Sequence, residues 1–169
     1  SHESAGRGKN MLTLQPLTLE DIEAVSKIEA ACFSMPWSAK ALAQVLEDPH
    51  SLYVTAKEDG VIVGFCGVTD ICGDGEINNV AVSEEYRGKG IAQAMLSYLC
   101  QKGEEKGIVN FTLEVRAGNQ AAIHVYEKSG FVSVGLRPGF YDRPKEDAMI
   151  MWRYGDKKVA EAFENGSGQ

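Results

Sequence analysis

At 169 residues the chain has the length of one ordinary domain and is too short for two comfortable cores. Hydrophobic residues make up 44% and charged residues 24%, which excludes global disorder, and no apolar run approaches the roughly 20 residues that cross a bilayer. A formal net charge of -7 repels a phosphate backbone, so the reading is of no direct nucleic-acid binding, no membrane, and a cationic partner.

Residues 1–10 are polar, carry Gly6 and Gly8, and read as a disordered tail or expression remnant, with Met11 as the natural start. Met11 to Leu17 alternates apolar and polar residues, as a first strand would. Thr18 followed by Asp21 is a near-capping box, and Ile22, Val25 and Ile28 recur at helical spacing to about Phe33. Met35-Pro36-Trp37-Ser38 breaks the helix, and Ser38 caps a second one that runs to about Asp48-Pro49.

Three strands are expected next. Ser51 to Lys57 and Val61 to Thr69 are joined by Asp59-Gly60, a strong hairpin signal, and Gly73-Asp74-Gly75 turns the chain into Glu76 to Val82. The apolar period of two slips between Ile77 and Val80, which predicts a β-bulge near Asn78-Asn79. A helix follows from Ile91 to about Lys106, with Ile91, Met95, Leu96, Leu99 and Cys100 on one face. Asn110 to Arg116 reads as a strand, Gln120 to Ser129 as a helix, and Phe131 to Leu136 and Ala148 to Arg153 as the last strands. The domain therefore spans 11–154, and residues 155–169 form a C-terminal tail with room for a short helix before it frays. The order predicts an α/β fold: a mixed sheet with helices on its faces.

The four cysteines, Cys32, Cys66, Cys72 and Cys100, form no CxxC pair and read as buried, reduced thiols of a cytoplasmic protein. Three scattered histidines lack ligand spacing, so no metal is expected. The chemistry concentrates in Arg87-Gly88-Lys89-Gly90-Ile91-Ala92, a glycine-rich turn between a strand and an amphipathic helix. Unpaired N–H groups and the helix dipole make such a turn a seat for a phosphate or pyrophosphate. The Walker pattern is absent, and Gln93 occupies the third glycine of the dinucleotide fingerprint, leaving a diphosphate ligand of another kind.

These residues resemble the GNAT superfamily of acetyl-CoA-dependent N-acetyltransferases, whose core pattern is met by Arg87, Gly90 and Ala92. Within it the chain resembles the ribosomal-protein alanine N-acetyltransferase type. Met35-Pro36-Trp37-Ser38, Asn79-Val80-Ala81-Val82 and Leu113-Glu114-Val115-Arg116 with Asn119 carry that likeness. So do Ala121-Ala122-Ile123 with Tyr126-Glu127, Gly130-Phe131 and Glu146-Asp147-Ala148. The resemblance implies a GNAT fold: a central, mostly antiparallel sheet splayed at a β-bulge and flanked by helices. It implies that Val80, Ala81 and Val82 pair with pantetheine, that Gly88, Lys89, Gly90, Ile91, Ala92 and Gln93 seat the pyrophosphate, and that Asn119 contacts the cofactor. It makes Glu114 the general base and Tyr126 the general acid. The acceptor it implies is the N-terminal alanine peptide of a small-subunit ribosomal protein. The loop Arg137 to Arg143, which would border that acceptor, departs from the family pattern.

Acetyl transfer to an amine needs loss of a proton from the ammonium, a donor for the thioester oxygen, and a proton for the leaving thiolate. Phe111, Leu113 and Val115 alternate on one strand face, which puts Glu114 on the other. A solvated strand glutamate reads the same way. Tyr126 shares a helical face with Ile123, as would an ordinary core tyrosine, while His124 faces elsewhere. Trp37 suits either the core or the wall of an acceptor site. Glu29, Asp74, Glu76, Asp142 and Glu146 are expected to lend the acceptor region a negative field that favours a basic second residue. A GNAT acting on a lysine, polyamine or antibiotic amine, and a non-catalytic acyl-CoA-binding module, stay open as alternatives.

Overall fold

The computed structural model describes residues 11–155, so the N-terminal tail and all but the first residue of the C-terminal tail lie outside the described residues. Seven strands and four α-helices are described: β1 (Leu12–Pro16), α1 (Ile22–Cys32), α2 (Ala39–Val45), β2 (Ser51–Glu58), β3 (Val61–Ile71), β4 (Asp74–Val82), α3 (Ile91–Glu105), β5 (Asn110–Arg116), α4 (Gln120–Lys128), β6 (Val132–Tyr141) and β7 (Glu146–Arg153). The strands pair in the order β1-β2-β3-β4-β5-β7-β6. The sheet is mixed: β4 and β5 are parallel, while β1–β2, β5–β7 and β6–β7 are antiparallel. The chain divides into two compact units, one of residues 11–67 and Asn79–Leu99, the other of Val68–Asn78 and residues 100–155.

In the first unit the capping signals act as expected. Thr18 N and Oγ1 donate to Asp21 Oδ2 at 2.9 and 3.0 Å, closing a 3₁₀ turn (Leu19–Asp21) that leads into α1. Ser38 Oγ accepts from Ala41 N at 3.1 Å and starts α2. α2 stops at Val45, three residues before the Asp48-Pro49 stop expected for it. The hairpin at Asp59-Gly60 has φ of 53° and 85°, the paired positive angles that two-residue hairpin turns need. Val25, Leu42 and Phe65 are fully buried in the core of this unit. Truncating a leucine buried like Leu42 to alanine costs about 2–5 kcal/mol.

In the second unit β5 alternates as predicted, with Phe111, Leu113 and Val115 buried and the intervening residues half-buried. The structure differs from the sequence reading at the β3–β4 turn, along β6 and in the strand order. The β3–β4 turn sits at Cys72-Gly73, with φ of 56° and 92°, so Asp74 and Gly75 already belong to β4. β6 continues through Arg137 to Tyr141, where a loop was expected. Pro138 is tolerated there because β6 is the last strand of the sheet and needs no donor on its outer side, and the pairing with β7 shifts register between Arg137 and Tyr141. β7 lies between β5 and β6, an order that chain sequence does not suggest.

The slip predicted in β4 is present as a single residue. Asn79 has φ of 59°, left-handed backbone that asparagine adopts more readily than other non-glycine residues. The burial pattern corrects the detail: Ile77, Ala81 and Val82 are buried, whereas Val80 is half-buried.

Candidate active site

The glycine turn lies in the first unit. Gly88 and Gly90 have φ of 78° and 81°, and a Cβ at either would meet no protein atom within 4 Å. Both positions therefore need glycine for backbone reasons and leave open space beside the chain. Ala94 N donates to Gly90 O at 3.0 Å, the bond that opens α3. The N–H groups of Ile91, Ala92 and Gln93 precede any intrahelical acceptor, at the positive end of a 15-residue helix. Ile91 is buried and anchors the turn, while Gly88, Lys89 and Gln93 are exposed and Ala92 half-buried. Lys89 Nζ rests 5.1 Å from the Tyr86 ring centroid. Arg87 braces the turn from below: its Nε donates to Val82 O at 3.0 Å and its Nη2 to Cys32 Sγ at 3.3 Å. Cys32 Sγ also donates to Val82 O at 3.6 Å, so both lone pairs of the Val82 carbonyl are already committed.

Glu114, Tyr126 and Asn119 lie in the second unit. Glu114 stands on the polar side of β5, opposite Ile150 of β7. Its Oε2 lies 2.9 Å from Arg137 Nη1 of β6, with the glutamate side chain 27% and the arginine side chain 54% exposed. The Arg137 guanidinium sits 5.0 Å from the Phe140 ring, Phe140 meets Tyr141 edge-on at 5.0 Å, and Tyr141 lies 4.5 Å beneath Arg116. Burial raises the Tyr141 phenol above its ordinary 10.0; the charge of Glu114 adds to the rise and Arg116 opposes it. Arg116 also donates to the carbonyls of Asp142 (2.9 Å) and Pro144 (2.7 Å) and pairs with Glu146 at 3.4 Å.

Asn119 caps α4, its Oδ1 accepting from Ala122 N at 3.1 Å, and is exposed. Tyr126 is 8% exposed and lies edge-on to Phe131 at 6.2 Å; Ile123 shares its buried face, and His124 is exposed. Sequence reading marked the segment 137–145 but missed Arg137 and the aromatic ladder behind it. Alternation along β6 was the available signal, and Pro138 and Gly139 interrupted it.

Other expectations need correction. Glu29 lends no surface charge, because it is 1% exposed and accepts from Trp37 N and Asn79 Nδ2. Asp74 is held by Asn110, and Glu146 by Arg116 and Gly118, which weakens the expected field. Cys66 and Cys100 are buried thiols, but Cys32 is half-buried and Cys72 exposed in its turn. Among the described residues no three His, Cys, Asp or Glu side chains cluster as metal ligands, and no helix is long and apolar enough to cross a membrane.

The model of the acetyltransferase (GNAT) family matches residues 22–131. The chain belongs to the GNAT family. It is 32% identical over 143 residues to the [ribosomal protein bS18]-alanine N-acetyltransferase of Escherichia coli, covering 83% of this chain and 96% of that one. It is 33% identical over 148 residues to the N-alpha-acetyltransferase RimI of Mycobacterium tuberculosis, covering 84% and 92%. The crystal structure of the E. coli ribosomal-protein-S18-alanine N-acetyltransferase superposes with a TM-score of 0.78 at 31% identity, covering 85% of this chain and 94% of that one. GNAT acetyltransferases use acetyl-CoA as donor. The open, left-handed glycine turn at the start of α3 suits the pyrophosphate of that donor.

Proposed function

We propose that this GNAT enzyme transfers acetyl from acetyl-CoA to the N-terminal alanine of a small-subunit ribosomal protein, directly and without a covalent enzyme intermediate. The observation that carries the acceptor is the likeness to the E. coli enzyme over 96% of that enzyme's length.

In this reading Gly88, Lys89, Gly90, Ile91, Ala92 and Gln93 hold the pyrophosphate through backbone N–H groups, Val80, Ala81 and Val82 offer strand backbone to pantetheine, and Asn119 contacts the donor. Glu114 takes the proton that the acceptor's ammonium must lose, directly or through one water. An α-amino group has an ordinary pKa of about 8, so a carboxylate suffices. The freed amine lone pair forms the new C–N bond at the thioester carbon. The C–S bond then breaks, the Tyr126 hydroxyl gives its proton to the departing thiolate, and the second proton shed by the nitrogen as it becomes the amide returns to the Tyr126 phenolate, directly or through water.

The test is initial acetylation rate with peptides that differ only at their first two positions, beside free lysine and spermidine. An alanine-first peptide should react fastest, and a basic second residue should outrun an acidic one, less so at high salt. Faster acetylation of spermidine or free lysine would move the enzyme to small amines. Absence of acetylation with intact acetyl-CoA binding would make it a binding module.

A further inference from the structure

Glu29 is a buried acid that the acetyl-transfer chemistry leaves unused. It is 1% exposed and lies one turn from the end of α1. Its Oε2 accepts from the backbone N–H of Trp37 at 2.9 Å. Asn79 Nδ2 donates to Oε1 at 3.0 Å and to Oε2 at 3.2 Å. Asn79 Oδ1 in turn accepts from the Tyr53 hydroxyl at 3.0 Å. The Tyr53 ring lies flat against Gly67, where any Cβ would collide with it, so the hydroxyl is fixed in place. The Asn79 side chain is therefore gripped at both ends.

A buried acid is a poor means of gaining stability, since well-packed apolar residues usually serve as well or better. What this network holds is unusual backbone. Asn79 has φ of 59° inside a strand, and the next residues are Val80, Ala81 and Val82. Backbone held in a sparsely populated region needs surroundings that over-determine it, and such residues gather where positioning matters.

We propose that Glu29 is a positioning residue for donor binding: through Asn79 it holds the left-handed residue that sets the course of Val80 to Val82. The inference rests on the reading that this stretch pairs with the pantetheine arm of acetyl-CoA. The Trp37 contact ties the break before α2 to the same carboxylate, so one group fixes both segments.

The test uses the full chain, with acetyl-CoA affinity by calorimetry, melting temperature, and steady-state kinetics. Glu29→Met keeps length and apolar fit but removes the acceptor that holds Asn79. Loss of that hold should weaken acetyl-CoA binding about tenfold, by the cost of an unsupported left-handed residue, while kcat at saturating donor stays near that of the parent. Glu29→Gln should largely retain affinity, because the Asn79 amide can turn to face the new NH₂ and the Tyr53 hydroxyl can accept in exchange. Glu29→Met with Asn79→Gly should regain affinity, since glycine takes positive φ unaided.

A purely structural Glu29 behaves differently: the melting temperature falls, and Asn79→Gly adds a second loss. Folded Glu29→Met with parental affinity overturns the inference, as does a double variant no better than Glu29→Met. Where Glu29→Met does not fold, Asn79→Ala and Asn79→Gly decide it: alanine should bind the donor about tenfold more weakly than glycine, and equal affinities overturn it. A parent chain that does not bind acetyl-CoA brings down the underlying donor reading instead, whatever the variants do.

Discussion

Arg137 Nη1 on β6 lies 2.9 Å from Glu114 Oε2 on β5, joining the carboxylate proposed as base to the far end of the neighbouring β6–β7 hairpin. The contact continues through Phe140 and Tyr141 to Arg116, which grips the carbonyls of Asp142 and Pro144. A change at any member of this ladder therefore reaches the surroundings of Glu114.

Glu114→Gln keeps the shape of the side chain and removes its ability to accept a proton. Turnover should fall by about 10²- to 10⁴-fold with acetyl-CoA affinity little changed. A near-parental rate across the neutral pH range would place the base elsewhere.

Arg137→Gln removes the cation beside that carboxylate. Glu114 would then hold a bound acceptor's ammonium more firmly, so the acid limb of kcat, which reports the acceptor complex, should move to higher pH, by up to about one unit. Stability should change by less than about 1 kcal/mol, because the pair is partly exposed and screened. An unmoved pH profile would show that Arg137 has no electrostatic part in the reaction.

Tyr126→Phe keeps the ring against Phe131 and deletes the hydroxyl. Turnover should drop by about 100-fold or more, for a stability loss of no more than about 1–2 kcal/mol. A folded variant with parental turnover would make Tyr126 a core residue only.

Gly90→Trp tests the glycine turn. A Cβ there meets no protein atom within 4 Å, but the φ of 81° strains any side chain, so the substitution costs some stability as well as crowding a bound ligand. Acetyl-CoA affinity should fall by at least about tenfold in a variant that still melts cooperatively. Unchanged affinity by calorimetry would move the pyrophosphate elsewhere.

Cys100 gives an alkaline signature. Burial pushes its thiol from an ordinary 9.0 up to about 11, with Arg153 opposing and Glu104 adding to the rise. A raised folded pKa means the native state keeps a proton that the unfolded chain has released. This contribution to stability is complete below pH 9.0 and is lost as pH climbs toward 11. Relative to Cys100→Val, the parent should lose about 2 kcal/mol over that interval. Parallel pH curves for the two proteins would show an unshifted thiol.

Much of the fold was legible because its signals are local. The polar turn Asp59-Gly60, the caps at Thr18 and Ser38, and the apolar face of α3 each lie within a few residues of what they specify. The period slip in β4 pointed to Asn79, though not to which neighbours would be buried. The glycine turn was equally local, since its left-handed backbone at Gly88 and Gly90 and the helix it opens lie within a few residues of each other.

What local pattern could not supply was partnership between distant segments. Alternation put Glu114 on the polar face of β5, but only β7 pairing between β5 and β6 set the sheet order that accompanies its contact with Arg137. Glu29 read as a surface charge because an acid near a helix end usually meets water. Its burial depends on Asn79, fifty residues away, and on the turn at Trp37. The sequence by itself determined which segments become strands and helices and which family they compose, because periodicity and turn chemistry act over a few residues. Only the tertiary structure decided which side chains share hydrogen bonds across the chain, because those contacts depend on register and crossing order that no short window contains.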